Sequence, residues 1–114
     1  MTQDEMDAIV MAFPGAEKGV SYGRPSYKVN GKFFTRLRRE DDSLVIMDVG
    51  FDEREMLMEA EPATFHFTAH YKDYPCVLAR IGDLHPGSLR NFLERRWRRI
   101  APKKLVKGYD AAGA

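Results

Sequence analysis

GRPSYKVNGKFF, residues Gly23 to Phe34, predicts a β-hairpin near the middle of the chain. Asn30 and Gly31 separate two runs rich in β-forming residues, and both positions of a two-residue hairpin turn need a positive φ, which these residue types tolerate. A strict two-residue turn sets Tyr27 opposite Phe34. The residues after the turn also alternate on the other face, so a bulge near the turn would reconcile the two patterns, and the register stays open.

Helices and further strands are predicted on both sides of this hairpin. Apolar residues recur at helical spacing in segments that begin near Gln3 and Pro86, and a capping pattern near Asp52 predicts a helix between them. The predicted order is helix, three strands, helix, two strands, helix. Because short connections favour antiparallel pairing, we expect a two-layer α/β (α+β) fold. In it, the helices cover one face of a single antiparallel sheet and leave the other face open.

The last predicted helix has an apolar face with one exception. Its apolar residues gather on one side of the helical wheel: Leu89, Phe92, Leu93, Trp97 and Ile100. Arg96 falls among them, and we expect its alkyl stem to pack on the core while the guanidinium reaches the edge. We also expect Met6, Ile9 and Phe13 of the first helix to be buried.

Length and composition allow one domain. The chain has 114 residues, 44% of them hydrophobic and 31% charged, which excludes a disordered chain. No apolar run approaches the roughly 20 residues that cross a bilayer. We expect residues 1–107 to form the domain and residues 108–114 to form a loose C-terminal tail.

The N-terminal segment and the cysteine content predict where the protein works. The stretch TQDEMD lacks the basic and apolar regions of a signal peptide. Cys76 is the single cysteine, so an intrachain disulfide is excluded. A reducing, cytoplasmic location without a membrane partner is therefore predicted.

Three segments together resemble the MmcQ/YjbR family of small bacterial domains. They are FPGAE at Phe13–Glu17, GRPSYKVNGKFF at Gly23–Phe34 and RRWRRIAPKKL at Arg95–Leu105. The resemblance implies a two-layer α/β fold similar to that of type III secretion chaperones. It also implies a "double-wing" DNA-binding role, proposed for the family from shape, with no catalytic residues assigned.

Charge is unevenly distributed along the chain, and the first hairpin is its most basic element. Net charge is +1, yet residues 86–114 carry eight basic and two acidic side chains. The hairpin and its flanks offer six cations: Arg24, Lys28, Lys32, Arg36, Arg38 and Arg39. Four aromatic residues alternate with them: Tyr22, Tyr27, Phe33 and Phe34. Cations that replace phosphate counterions, with aromatics beside them, predict binding of double-stranded DNA.

Two other interpretations of the hairpin remain open. Lys and Arg also keep an exposed edge hairpin from pairing with other chains, and the acidic turn Glu40–Asp42 would repel phosphate. The alternative function is a chaperone-like protein-interaction module that uses the open sheet face or the C-terminal helix.

Catalytic and metal chemistry have little support in the sequence. His66, His70 and Cys76 are metal-ligating residue types, but their positions do not predict a closed site. Cys76 begins a strand predicted to be buried, where a free cysteine packs as a small hydrophobe. We therefore expect a non-enzymatic protein with no metal and no cofactor.

Overall fold

The computed structural model describes residues 1–112 and has a mixed α+β architecture, as predicted. The helices of this part are α1 (Gln3–Met11), α2 (Phe51–Ala60), α3 (Pro86–Ile100) and α4 (Lys103–Ala112), with a 3-10 turn at Ala69–Tyr71. The strands are β1 (Ala16–Ser21), β2 (Arg24–Val29), β3 (Lys32–Arg36), β4 (Ser43–Met47), β5 (Phe65–His66) and β6 (Cys76–Arg80). None of the helices in residues 1–112 has both the length and the apolar character to span a membrane.

The predicted hairpin is formed by β2 and β3, and it contains the bulge that reconciles its two apolar patterns. Asn30 and Gly31 make the turn with φ values of 55° and 72°. The register then shifts between residues 27 and 28, so that Tyr27 lies opposite Thr35 instead of Phe34. As a result Phe34 and Thr35, though adjacent, are both fully buried.

The predicted single sheet is wrong, because the strands form two three-stranded antiparallel sheets. Their orders are β1–β2–β3 and β4–β6–β5, and an isolated bridge between Leu37 and Leu44 joins them. Between β3 and β4 the Thr35 hydroxyl, and not a backbone N–H, donates to the Val45 carbonyl at 2.9 Å. A side chain thus replaces a ladder hydrogen bond where the two sheets diverge.

The main core lies between the sheets and the helices α1 and α3. Trp97 is fully buried at its centre, and its indole N–H donates to the Pro14 carbonyl at 2.8 Å. The predicted burial of the α3 residues is confirmed, as is that of Met6 and Phe13. Ile9 is only half-buried, because it faces an open groove between α1, α3 and α4.

The segment predicted as a loose tail, residues 108–114, is helical as far as Ala112, which corrects that expectation. Its Tyr109 ring packs 4.8 Å from the Trp97 ring, measured between centroids. α4 is therefore packed against the core. Residues 113–114 lie outside the described residues.

We expect Tyr109→Ala to lower the free energy of unfolding by about 2–3 kcal/mol, somewhat less than truncation of a fully buried aromatic. The change removes the ring from Trp97 and the hydroxyl from Glu94, to which it donates at 2.9 Å. Urea denaturation measures the effect. Tyr22→Ala is the control, because Tyr22 is 82% exposed and its loss should change stability by less than about 0.5 kcal/mol. Equal losses in the two variants would contradict the docking of α4.

Candidate functional site

The six basic residues predicted to bind DNA do not form one surface. The pairing register turns Arg24, Lys28 and Arg36 toward what we call the outer face, the face of the two sheets that points away from α1 and α3. Lys32 is exposed beside the hairpin turn, and Arg39 is exposed in the connection after β3. The hairpin therefore presents cations at its turn end, on its outer face and beyond β3.

Carboxylates of the neighbouring acidic turn neutralise two of the six. Arg24 pairs with Asp42, and the Arg38 guanidinium lies 2.7 Å from Glu40 and 3.0 Å from Asp41. Across residues 1–112, the other four take part in no ion pair: Lys28, Lys32, Arg36 and Arg39. These four keep their charge available to a ligand.

Two of the four aromatic residues predicted to accompany these cations are unavailable. Tyr27 and Phe34 are fully buried in the core. Tyr22 is 82% exposed, and Phe33 is half-buried on the outer face. The bulge explains the difference, since it turns Phe34 inward together with Thr35.

An open cleft, which we call the aromatic cleft, lies on the outer face between the hairpin and the segment 69–75. Its inner compartment measures about 210 Å³ and its outer compartment about 370 Å³. The inner one is lined by Phe33, Arg36, Met47, His70, Tyr71 and Tyr74, with Val45 and Cys76 beneath. The outer one shares Arg36, His70 and Tyr71 and adds Tyr22 together with Arg38 and Glu40, which pair with each other. The compartments therefore form one cleft with a largely aromatic lining.

Arg36 lies at the boundary of the two compartments. Its guanidinium donates to the Tyr71 hydroxyl at 2.6 Å, and its central carbon is 5.9 Å from the centroid of the Tyr22 ring. The side chain is half-buried and forms no ion pair within residues 1–112. The aromatic cleft thus contains one positive charge that no carboxylate balances.

Arg54 of α2 holds the segment that forms one wall of this cleft. Its side chain is buried, and its guanidinium lies 4.2 Å from the centroid of the Phe67 ring. It donates to four carbonyl oxygens: those of Tyr71 (3.2 Å), Lys72 (2.8 Å), Tyr74 (3.2 Å) and Cys76 (3.3 Å). The 69–75 segment is therefore held in place before any ligand binds. Sequence reasoning missed this residue, although it occupies an apolar position three residues before Leu57.

Most arginines of the basic helix α3 form ion pairs with carboxylates of the same chain. Arg95 binds Glu53 through two hydrogen bonds of 2.7 and 3.0 Å. Arg98 binds Asp110 at 2.7 Å, and Arg99 pairs with Asp48. The α3 arginines consequently offer little free charge, whereas the α4 lysines Lys103, Lys104 and Lys107 take part in no ion pair of residues 1–112.

Arg96 corrects the expectation that its guanidinium would reach the edge. Its side chain is only 14% exposed, and the guanidinium donates to the Phe33 carbonyl at 2.7 Å and to Asp48 at 3.2 Å. Asp48 accepts these bonds from the connection after β4, in a left-handed backbone conformation with φ of 63°. Arg96 therefore ties α3 to both sheets.

A separate cavity of about 510 Å³ is the groove between α1, α3 and α4. Its polar lining includes Arg90, Asn91 and Glu94. Glu94 already accepts hydrogen bonds from Tyr109 and Arg98. Arg90 is therefore the one charged side chain of this groove that takes part in no ion pair of the described residues.

Ser43, His66 and Asp41 lie together but lack the geometry of a catalytic triad. The Ser43 hydroxyl is 2.9 Å from the Nε2 atom of His66, and an Asp41 oxygen is 3.4 Å from that same nitrogen. In a triad, the carboxylate must hold the other ring nitrogen. Ser43 is also fully buried, so a substrate has no access to its hydroxyl.

Cys76 lies beneath the aromatic cleft as a packing residue. It is fully buried against Val45 and Leu78, and burial raises the pKa of its thiol. A reactive thiol needs exposure and a lowered pKa. Among residues 1–112, no three His, Cys, Asp or Glu side chains gather in a way that could hold a metal ion.

We expect Arg54→Met to lower the free energy of unfolding by about 2–4 kcal/mol, because four carbonyl oxygens lose their donor. Amide hydrogen exchange in residues 69–75 should accelerate at the same time, and urea denaturation gives the global effect. Arg90→Met is the matched control, since Arg90 is exposed and in no ion pair of the described residues. If both variants exchange alike in 69–75, Arg54 does not hold this segment.

Stability should also fall in mild acid through His66. Burial lowers the pKa of its imidazole, and the positive charge of Arg80 adds to the effect. The unfolded imidazole, with a pKa of about 6.5, then binds protons more readily than the folded one. Its contribution to stability is therefore complete above about pH 6.5 and is lost as the pH falls through the folded pKa. Unfolding free energies between about pH 7 and pH 5 should decline less steeply in His66→Gln, and parallel curves would contradict this assignment.

Comparison with known proteins identifies the family. A family model described as YjbR matches residues 11–99, which extend from the end of α1 to the last turn of α3. The uncharacterised proteins Mb2600 of Mycobacterium bovis and Rv2570 of Mycobacterium tuberculosis are each 29% identical over 97 residues. The alignment covers 82% of this chain and 75% of each relative.

No solved structure matches the chain significantly, so the expected similarity to secretion chaperones stays a prediction. The family model spans the hairpin, both sheets and the aromatic cleft, and it ends before α4. The chain belongs to the YjbR family.

Proposed function

We propose that this chain is a non-enzymatic DNA-binding protein that contacts phosphates through the unpaired cations of its first hairpin. The proposal is supported by a contrast between the basic helix α3 and the first hairpin. Four of the α3 arginines are bound to carboxylates, whereas Lys28, Lys32, Arg36 and Arg39 are bound to none in the described residues. Cations free of partners can replace the counterions of a phosphate backbone.

The acidic turn sets the direction of the proposed interface. Arg24 and Arg38 are already held by Asp42, Glu40 and Asp41, so they leave the predicted binding set. Lys28 and Lys32 lie at the opposite end of the hairpin, beside the turn at residues 30–31, whereas Arg39 follows β3 and would contact a phosphate on the other side. A two-stranded ribbon can enter a major groove, and this end points away from the acidic turn, with Glu17 of β1 as the carboxylate across from Lys28.

The side-chain chemistry supports a non-enzymatic role. Cys76 is buried, and the pKa of its thiol is raised. The Ser43 hydroxyl and the Asp41 carboxylate both face the same ring nitrogen of His66. Neither arrangement activates a nucleophile. A free, buried thiol also agrees with a reducing compartment, and we propose the cytoplasm as the place of action.

The second candidate function is protein interaction through the outer face. Tyr22 and Val20 project into solvent there and on the adjoining edge strand, with 82% and 78% of their surface exposed. The alternative surface, α3, is less suited because its arginines bind carboxylates of the same chain. If the interaction role holds, a partner purified from the native cell binds the wild type and not Tyr22→Ala, while loss of Lys28 has no effect.

The DNA-binding proposal is tested with a triple variant, Lys28→Ala, Lys32→Ala and Arg39→Ala. Binding of a random duplex of about 20 base pairs is followed by fluorescence anisotropy between roughly 50 and 200 mM salt. Each phosphate contact steepens the fall of log K with log salt by about 0.9, so the triple variant should flatten the slope by up to ~3 units. The loss should be similar for unrelated sequences, because phosphates carry no sequence information.

The matched control is Lys103→Ala, Lys104→Ala and Lys107→Ala on α4, three lysines that are exposed and in no ion pair of the described chain. It removes the same charge and should leave the salt slope unchanged. Both variants should unfold at nearly the wild-type urea concentration. Absence of duplex binding at about 50 mM salt, or equal slopes in the two variants, would refute the proposal.

A further inference from the structure

The aromatic cleft has the dimensions of a site for one planar group. Its inner compartment of about 210 Å³ is open to solvent through the outer compartment of about 370 Å³. The inner compartment holds several waters, which is room enough for a single ring system.

The lining favours a flat aromatic group. His70 and Tyr74 stack with their ring centroids 6.2 Å apart, and Tyr71 lies edge-on to His70 at 4.7 Å. Tyr74 is 54% exposed and His70 is exposed, so a ligand can reach both rings. Val45 and Met47 supply apolar contacts below. Aromatic side chains of this kind stack on nucleobases, each of which has a π-face.

Among the charges that line the cleft, Glu40 is paired with Arg38, and the remaining cation favours an anion attached to that flat group. Arg36 lies at the boundary of the two compartments and has no carboxylate partner in the described chain. Lys28 lies directly across the hairpin from Phe33, which lines the inner compartment. A base in the cleft would therefore have one cation at its entrance and a second on the adjoining strand, which suits the phosphates on either side of a nucleotide.

We propose that the aromatic cleft binds an unpaired nucleobase, with Arg36 contacting its phosphate, so that this protein prefers single-stranded to double-stranded DNA. This inference rests on the proposed function, because it specifies which form of DNA the hairpin cations hold. The bases of a duplex are paired and stacked and cannot enter a side-chain cleft, whereas those of a single strand can be splayed onto aromatic rings.

Arg54 prepares the cleft for this ligand. Its hydrogen bonds to the carbonyls of Tyr71, Lys72 and Tyr74 fix the backbone from which the stacking rings project. A segment that is ordered before binding loses less conformational entropy when the ligand arrives. The cleft is thus a preformed site, and Tyr74 can be changed without breaking the bonds that hold its backbone.

Methyl-labelled methionine reports occupancy of the cleft directly by NMR. Met47 lines the inner compartment, whereas Met56 is 68% exposed on α2 and outside the cleft. Adenosine monophosphate and a short single strand should each shift the Met47 methyl signal through the ring current of the base and leave that of Met56 in place. Ribose 5-phosphate, which lacks the base, should shift neither. An unmoved Met47 signal with both base-containing probes overturns the proposal.

Tyr74→Ala tests the stacking contact in binding assays with matched single-stranded and duplex oligonucleotides. A base stacked on an aromatic ring contributes about 1–3 kcal/mol, so single-strand affinity should fall about tenfold, with duplex affinity unchanged. Tyr74→Phe is the matched control, since it keeps the ring and should keep the affinity. If Tyr74→Ala binds the single strand as tightly as the wild type, or if duplex binds more tightly than single strand, the proposal is wrong.

The two proposals fail separately. Duplex binding that depends on Lys28, Lys32 and Arg39, together with an unmoved Met47 signal, overturns the cleft proposal and supports the hairpin one. Single-strand binding that needs Tyr74 but not those cations supports the cleft and overturns the hairpin interface. Adenosine monophosphate that shifts Met47 without any strand binding overturns the assignment to DNA in both.

Discussion

A buried arginine without a carboxylate beside it holds the outer face in shape. Transfer of a charged group out of water costs several kcal/mol unless hydrogen bonds replace its hydration. Arg54 meets this requirement with four carbonyl oxygens of one short segment and the ring of Phe67. The Tyr71 and Tyr74 carbonyls each accept one backbone N–H as well, so Arg54 completes a network that the backbone of the segment begins. The cleft, the covering of Cys76 and the positions of the stacking rings all follow from this one interaction.

The interaction between Arg96 and Asp48 holds the two sheets together, as Arg54 holds the wall of the cleft. One guanidinium joins the Phe33 carbonyl of the first sheet to the carboxylate that follows β4 of the second. Some arginines of this protein therefore connect parts of the same chain, whereas other cations are left for a ligand. A count of basic residues along the sequence does not separate them. The hairpin stands out only after the α3 arginines have been matched to their carboxylates.

Local signals predicted much of the fold, and the failures have physical causes. The turn at Asn30 follows from short-range conformational rules, and the burial of Trp97 follows from helical spacing. The register of the hairpin stayed open in the sequence, and the structure sets it with a bulge. β1 was missed because its residues are almost all exposed and show no alternation. Proline cannot continue a helix, but the carbonyl of Pro102 accepts the first hydrogen bonds of α4, which the sequence did not predict. The aromatic cleft could not be predicted, because it combines residues from β3, β4 and the 69–75 segment that only the tertiary structure brings together.

The position of Cys76 makes the motion of this wall measurable. It is the chain's single cysteine, it is fully sealed, and its carbonyl is one of the four that Arg54 holds. A thiol reagent can therefore attack only during brief openings of the 69–75 segment or of the whole domain. At low reagent concentration the alkylation rate gives the fraction of time spent open, and at saturating concentration it gives the opening rate itself. Alkylation of Cys76 therefore reports how often and how fast the cleft wall at residues 69–75 opens.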